Sequence, residues 1–290
     1  MTAQAHRYQH IAVLTHPQIE TASQEAGKIA EFLNHNGVRA ESGGLYDETL
    51  RSRVLAREFD LIIALGGDGT MLRAGHLGGP VDVPILGVNL GHFGFLMEVR
   101  ENQWQKFLPQ LLSGDYWLEN RMTLCAEQWR KDQKLGAWQV LNEVVVSRGQ
   151  IVRPVHLITS VDGRFLTTYV ADALIASTPT GSTAYALAAG GPILPPELRN
   201  ILIIPVAPHL SIDRAIVLAE GSTVSITVQM NHQAVLSVDG QAPVSLNNDD
   251  RVDAHAGEHS IQFVRFQDPG YFYRNLTPHM NQNPSAGNHR

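Results

Sequence analysis

An aspartate held among glycines at the end of an apolar run is the plainest chemical feature of this chain, in Asp60-Leu-Ile-Ile-Ala-Leu-Gly66-Gly67-Asp68-Gly69-Thr70. Gly66, Gly67 and Gly69 leave the backbone free to approach a ligand, and N–H groups exposed after a strand suit phosphate oxygens. A carboxylate in such a turn is repelled by phosphate unless it holds a metal ion or takes a proton from an attacking hydroxyl. Asp68 is therefore the candidate catalytic acid, with Thr70 capping or starting the helix that follows. The turn has no lysine, which excludes the P-loop signature G-x-x-x-x-G-K-[ST], and its spacing also fails G-x-G-x-x-G.

Three further groups could do chemistry. Leu141-Asn142-Glu143-Val-Val-Val146 reads as a strand with an amide and an acid in its interior, a polar pair that usually contacts something. Ser177-Thr-Pro-Thr-Gly-Ser-Thr-Ala-Tyr185 places hydroxyls before a helix-like stretch, suiting an anion or a ribose, or else ordinary capping by Ser182 or Thr183. His209, after two prolines, either lines a site or sits on a surface turn. His255-Ala-Gly-Glu258-His259 matches H-x-x-E-H, but Gly257 and the strand-like residues 261–266 do not fit the helix a zinc site of that type needs, so no metal ligands are assigned.

The elements that must position these residues fall into two patterns. Residues 10–15 read as a strand, and residues 21–36 place Ala26, Ile29, Ala30 and Leu33 at helical spacing before Gly37. A strand at 38–41, a helix at 47–58 and strands at 61–65 and 84–89 continue the alternation, with an amphipathic helix at 101–112. Alternation of this kind predicts an α/β domain with a Rossmann-like parallel sheet, and in open sheets ligands bind at the carboxyl ends of the strands. Residues 90–96 form a second glycine-rich exit there, so the two exits should make a cleft. From Trp117 the chain becomes β-rich, with hairpin signals at Asp162-Gly163 and Asp239-Gly240. The expected organisation is an α/β domain over 1–119, a β-rich domain over 120–266 and a tail over 267–290 whose last dozen residues are disordered.

The chain has 290 residues, 43% of them apolar and 17% charged, enough for one large or two ordinary domains with ample core. A formal net charge of −6 argues against general nucleic-acid or membrane-surface binding, and the single cysteine, Cys125, forbids an internal disulfide. Neither a signal peptide nor a run of about 20 apolar residues is present, so the cytoplasm is the expected location.

Taken together, these segments resemble the NAD kinases, the bacterial ones above all. Gly66-Gly-Asp-Gly-Thr70, Asn89-Leu-Gly-His-Phe-Gly-Phe-Leu96, Asn142-Glu143, Thr178-Pro-Thr-Gly-Ser-Thr-Ala-Tyr185, Gly190-Gly-Pro192, Pro208-His209 and Asp239-Gly240 follow the family's order along nearly the whole chain. The resemblance implies phosphoryl transfer from ATP, or from polyphosphate in some members, to the adenosine 2′-hydroxyl of NAD, with Mg²⁺ or another divalent metal accompanying ATP. It also implies a homodimer or homotetramer. Asp68 takes the place of the catalytic acid beside Gly69, and Asn142 with Glu143 that of the pair holding ribose hydroxyls. Thr183, Ala184 and Tyr185 match the dinucleotide segment, Asp172 an acid that often reaches a neighbour's ligand, and Gln241 a further dinucleotide contact. Ala207 and His209 are added to the substrate-binding set, with Arg73 and Arg153 as phosphate contacts. The chain departs from the family in four places: Ala173 follows Asp172 where glycine is usual and Val170 stands where an arginine is common, both of which bear on NAD against NADH; Ala188 stands where many relatives have serine; and the tail after Tyr273 lacks the usual ending. A diacylglycerol-type lipid kinase, which shares the glycine-aspartate turn, and a dinucleotide sensor without turnover are the alternatives.

Overall fold

The computed structural model describes residues 8–17, 19–91, 94–151, 153–209, 212–230 and 232–281. The chain divides into two compact units, Met1–Asn120 with Ile261–Arg290, and Arg121–Ser260.

In the first unit seven strands form one sheet. Its order is Arg39–Gly44, His10–Thr15, Leu61–Gly66, Ile85–Asn89, Ile261–Arg265 and Trp117–Arg121, with Val99–Arg100 added beside Ile85–Asn89. The first four strands are mutually parallel. Leu61–Gly66 is buried at every position, which explains its unbroken apolar run: both faces are covered. Helix Glu20–His35 turns Ala26, Ile29, Ala30 and Leu33 onto Ile11, Val13 and Ile63. Helix Glu48–Leu55 is capped by Asp47, whose Oδ1 accepts the N–H groups of Thr49 (2.9 Å) and Leu50 (3.1 Å). A 3₁₀ turn at Glu101–Gln103 leads into helix Trp104–Ser113.

Two expectations for this end of the chain are corrected. Residues 261–266 were expected in the β-rich domain, yet Ile261–Arg265 pairs in parallel with Ile85–Asn89 in the first sheet, Phe263 opposite Ile85. Arg265 fixes it there, its Nε donating to Glu119 (2.8 Å) and its Nη1 to the Leu96 carbonyl (3.0 Å). Of the last dozen residues, expected to be disordered, 279–281 instead end helix Tyr271–Asn281, which is tethered by the Tyr271 hydroxyl donating to the Met97 carbonyl at 2.9 Å. The rest of the segment expected to be disordered, residues 282–290, lies outside the described residues.

The second unit is a sandwich of two six-stranded antiparallel sheets. Alternate residues of both, among them Leu124, Val144, Val146, Leu174, Ile203, Val224, Ile226, Val228 and Ala254, form one core between them. Asp162-Gly163 makes the expected two-residue hairpin turn, both residues at positive φ (51° and 73°). Among the described residues no helix is long and apolar enough to cross a membrane.

Candidate functional site

The first unit delivers Asp68 as the reading of its turn requires. Leu61–Gly66 ends at the sheet's carboxyl edge, Gly67 is the N-cap, and Asp68 is already the first residue of helix Asp68–Gly78, so Thr70 lies inside the first turn rather than before it. An anion at this end meets the positive end of the helix dipole. Gly67, Gly69 and Thr70 line a cavity of about 370 Å³ together with His16 and Ile19. Arg73, one turn on, is exposed, its Nη1 donating to the Gly69 carbonyl at 3.4 Å and its guanidinium 5.9 Å from the Tyr46 ring.

The neighbouring strand's exit is stitched to this turn. Asp68 accepts the N–H of Phe95 at Oδ2 (2.8 Å) and of Leu96 at Oδ1 (3.1 Å), which aims the carboxylate. Gly94 makes this possible, for a Cβ there would stand 2.1 Å from Asp68 Oδ2. Sequence reasoning missed this anchoring, whose signal was Gly94 following Gly91. His92 and Phe93, part of the same expected exit, lie outside the described residues.

In the second unit Asn142 and Glu143 are not interior to a strand. The strand is Glu143–Arg148, and Leu141 and Asn142 form the turn that enters it, with Glu143 as the strand's first residue. That stretch is gripped from both sides. Asp239 accepts three of its N–H groups, Leu141 at 2.7 Å, Asn142 at 2.8 Å and Glu143 at 2.9 Å. Thr178 takes its carbonyls, the hydroxyl donating to Leu141 O (2.5 Å) and the N–H to Asn142 O (2.9 Å), and Ser177 Oγ adds 3.1 Å to Asn142 O. Gly181 lies so near that a Cβ would be 2.2 Å from the Asn142 carbonyl oxygen. Gly181→Ala is therefore expected to push the turn away at a cost of about 1–3 kcal/mol, read as a lower denaturant midpoint; an unchanged midpoint would show that the turn yields freely.

Glu143 is buried, and its Oε2 has no hydrogen-bond partner. Burial, and then the Asp239 charge, push its carboxyl up to about 8, against a smaller opposing pull from the Tyr185 N–H that it accepts. The acid is thus held protonated at neutral pH, able to donate as well as accept.

The hydroxyl-rich segment differs from expectation. Thr178, Ser182 and Thr183 spend their hydroxyls on carbonyls of the chain, Ser182 Oγ on Pro179 (2.6 Å) and Thr183 Oγ1 on Thr180 (3.1 Å). Neither Ser182 nor Thr183 caps a helix: a 3₁₀ turn at Gly181–Thr183 precedes the four-residue helix Tyr185–Ala188, whose N-cap is Ala184. What the segment presents outward is Tyr185 and Ala188, both exposed. Ala186 packs on Ile175, Leu202 and Ile204, which seats it on the outer face of a sheet.

The remaining candidates belong to the same unit. Asp172 lies opposite Arg148, whose N–H donates to the Asp172 carbonyl (3.0 Å) and whose Nε donates to its carboxylate (3.1 Å). That is five residues along the strand from Glu143, about 17 Å at ~3.3 Å per residue. The His209 N–H donates to Val170 O at 2.7 Å, and Ala207 takes positive φ (47°) just after strand Asn200–Val206. Arg153 and Val170 line a cavity of about 640 Å³ with His156 and His232. Gln241 is exposed beside Asp239-Gly240, its carbonyl accepting from Ser237 Oγ at 3.2 Å. In the H-x-x-E-H segment His255 belongs to strand Asp250–Ala256 and its Nδ1 pairs with the Ala256 carbonyl (2.9 Å). His255 also stands near Cys125 and Glu127, but both Glu127 oxygens are engaged, by Lys134 Nζ (2.7 Å) and Trp129 Nε1 (3.1 Å).

Comparison with known proteins bears on both units. The domain model described as ATP-NAD kinase N-terminal domain matches residues 19–116, and that described as ATP-NAD kinase C-terminal domain matches 141–266. The chain is 37% identical over 268 residues to an NAD kinase of Chloroflexus aggregans, covering 92% of this chain and 97% of that protein. It is 40% identical over 219 residues to an NAD kinase of Geotalea daltonii, covering 75% and 77%. Among solved structures the fold matches yeast NADH kinase complexed with NADH, at TM-score 0.83 and 24% identity over 98% of this chain and 91% of that one. It also matches an NAD kinase from Archaeoglobus fulgidus in complex with ATP, at TM-score 0.75 and 24% identity over 94% and 99%.

Proposed function

Since the chain belongs to the NAD kinase family and is a phosphotransferase acting on NAD, we propose that it transfers the γ-phosphoryl group of ATP to the adenosine 2′-hydroxyl of NAD, giving NADP and ADP. In this reading the 2′-oxygen attacks the γ-phosphorus, the bond to the β,γ-bridging oxygen breaks, and the hydroxyl proton passes to Asp68. Gly67, Gly69 and Thr70 cradle phosphate oxygens at the helix N-terminus, with Arg73 as a further cation. Asn142 and Glu143 hold ribose hydroxyls, and Tyr185 packs on the dinucleotide. A divalent metal arrives with ATP as part of that substrate and neutralises charge developing on the transferred group. Family membership sets aside the lipid-kinase and non-catalytic readings; polyphosphate remains the second donor to be offered.

The observation that carries the reading is Glu143 Oε2, a buried oxygen without a partner in the residue that follows Asn142. A buried polar atom left unpaired costs about 1–3 kcal/mol, and a ribose hydroxyl relieves it. The test is a product assay offering ATP or polyphosphate with NAD or NADH. Absence of any 2′-phosphorylated product under all four pairings would overturn the reading. Polyphosphate alone supporting turnover would replace the donor.

Asn142→Ala and Glu143→Ala are each expected to raise KM for NAD roughly 5- to 150-fold, equivalent to 1–3 kcal/mol, with KM for ATP little changed. Equal effects on both substrates would remove the ribose role. Glu143 gives a pH signature as well. With its folded-state value near 8, the carboxyl is neutral below that pH and charges above it, so KM for NAD should inflect near pH 8. Glu143→Gln, which cannot ionise, should abolish the inflection. The same shift lowers fold stability as pH rises from about 4.5 to about 8, because the native state keeps a proton that the unfolded chain releases.

A further inference from the structure

Resting on that reading of the ribose pair, we propose that Asp239 is the positioning residue of the acceptor site. By accepting the backbone N–H groups of Leu141, Asn142 and Glu143, its carboxylate sets where the Asn142 amide and the Glu143 carboxyl meet the ribose.

Three observations lead there. The carboxylate is buried and spans three consecutive amides at 2.7–2.9 Å, the charge-assisted geometry that makes such bonds strong. The link is reciprocal, since the Asp239 N–H donates to the Glu143 carbonyl at 3.0 Å, so the turn at 239–240 and the stretch at 141–143 are locked as one piece. Asp239 adopts positive φ (49°) with Gly240 (65°), so its own backbone is shaped to bring the carboxylate over the amides rather than to close a minimal hairpin. The strands it joins, Ala234–Val238 and Val244–Leu246, leave residues 239–243 as a wider loop. A side chain needed only to turn the chain would not be aimed at a segment 96 to 98 positions away. The groups facing the Glu143 carboxyl are the Asp239 carboxylate and the Tyr185 N–H, so Asp239 acts on its protonation as well as on its place.

Asp239→Asn keeps the shape, but its amide nitrogen cannot accept, so at least one N–H of the turn loses its partner. The expected result is KM for NAD raised about tenfold, kcat at saturating NAD within about twofold, KM for ATP unchanged, and the inflection near pH 8 displaced to lower pH. A merely structural residue would lower the melting temperature without moving that inflection. An unmoved inflection together with unchanged KM for NAD, or equal rises in both KM values, would overturn the proposal. Should the variant fail to fold, hydrogen exchange in the wild-type enzyme reads the same contact. The amides of Leu141, Asn142 and Glu143 should be strongly protected, and rapid exchange would overturn it. Calorimetric binding of NAD to wild type and Asp239→Asn separates the two readings. A wild type that makes no 2′-phosphate refutes the proposed reaction, whereas equal NAD affinity of the two proteins refutes the role of Asp239.

Discussion

Asp68→Asn is expected to cut kcat at least about 100-fold while leaving the dissociation constant for NAD within a few-fold, the loss typical of a removed general base. Asparagine fills the same volume but cannot take the 2′-hydroxyl proton. The structure sharpens how this result must be read. Because the carboxylate also holds the N–H groups of Phe95 and Leu96, the variant leaves one of them facing an NH₂ group, at about 1–3 kcal/mol. A fall in activity therefore counts as lost chemistry only if NAD binding and the melting transition are largely kept. Gly94→Ala supplies the control: its methyl group would collide with the carboxylate, 2.1 Å from Oδ2, and so displaces the acid without removing it. It should lower kcat in the same direction. Full turnover by Asp68→Asn would end the assignment of Asp68 as the base.

How far the sequence reveals this site follows from the range of each interaction. Strand Leu61–Gly66 and the turn at Asp68 are legible because the signal is local, an apolar run ending in residues that free the backbone. The helix capped by Asp47 is legible for the same reason. Ile261–Arg265 was misplaced because nothing within it distinguishes an antiparallel sandwich strand from the edge of a parallel sheet. Its partner, Ile85–Asn89, lies far earlier in the chain. The hydroxyls of Thr178, Ser182 and Thr183 looked like ligand groups because composition alone does not tell whether a hydroxyl points outward or binds its own backbone. Asp239 was hidden in the opposite way: Asp-Gly is so good a turn signal that it masks a second use of the carboxylate.

The last expectation is that the active enzyme is a homo-oligomer, with Asp172 serving the dinucleotide of a neighbouring copy. Within its own chain Asp172 stands about 17 Å from Glu143 along one strand, at ~3.3 Å per residue, so it cannot touch the ribose that Asn142 and Glu143 of that chain would hold. Its carboxylate is half-exposed and bound from one side by Arg148, at 3.1 Å, which orients it without enclosing it. A symmetric pair of copies would present two such acids to two sites. Asp68→Asn and Asp172→Ala chains, each inactive alone, should then recover activity when co-expressed. In a mixed pair, the site that keeps Asp68 receives Asp172 from its partner. Random pairing limits the recovery to about a quarter of the wild-type rate, since half the pairs are mixed and each has one intact site of two. Co-expression lets the two kinds of chain assemble together, so that recovery does not depend on exchange between assembled copies. Light scattering that finds an active monomer, or Asp172→Ala with wild-type kinetics, would show that Asp172 does no more than pair with Arg148.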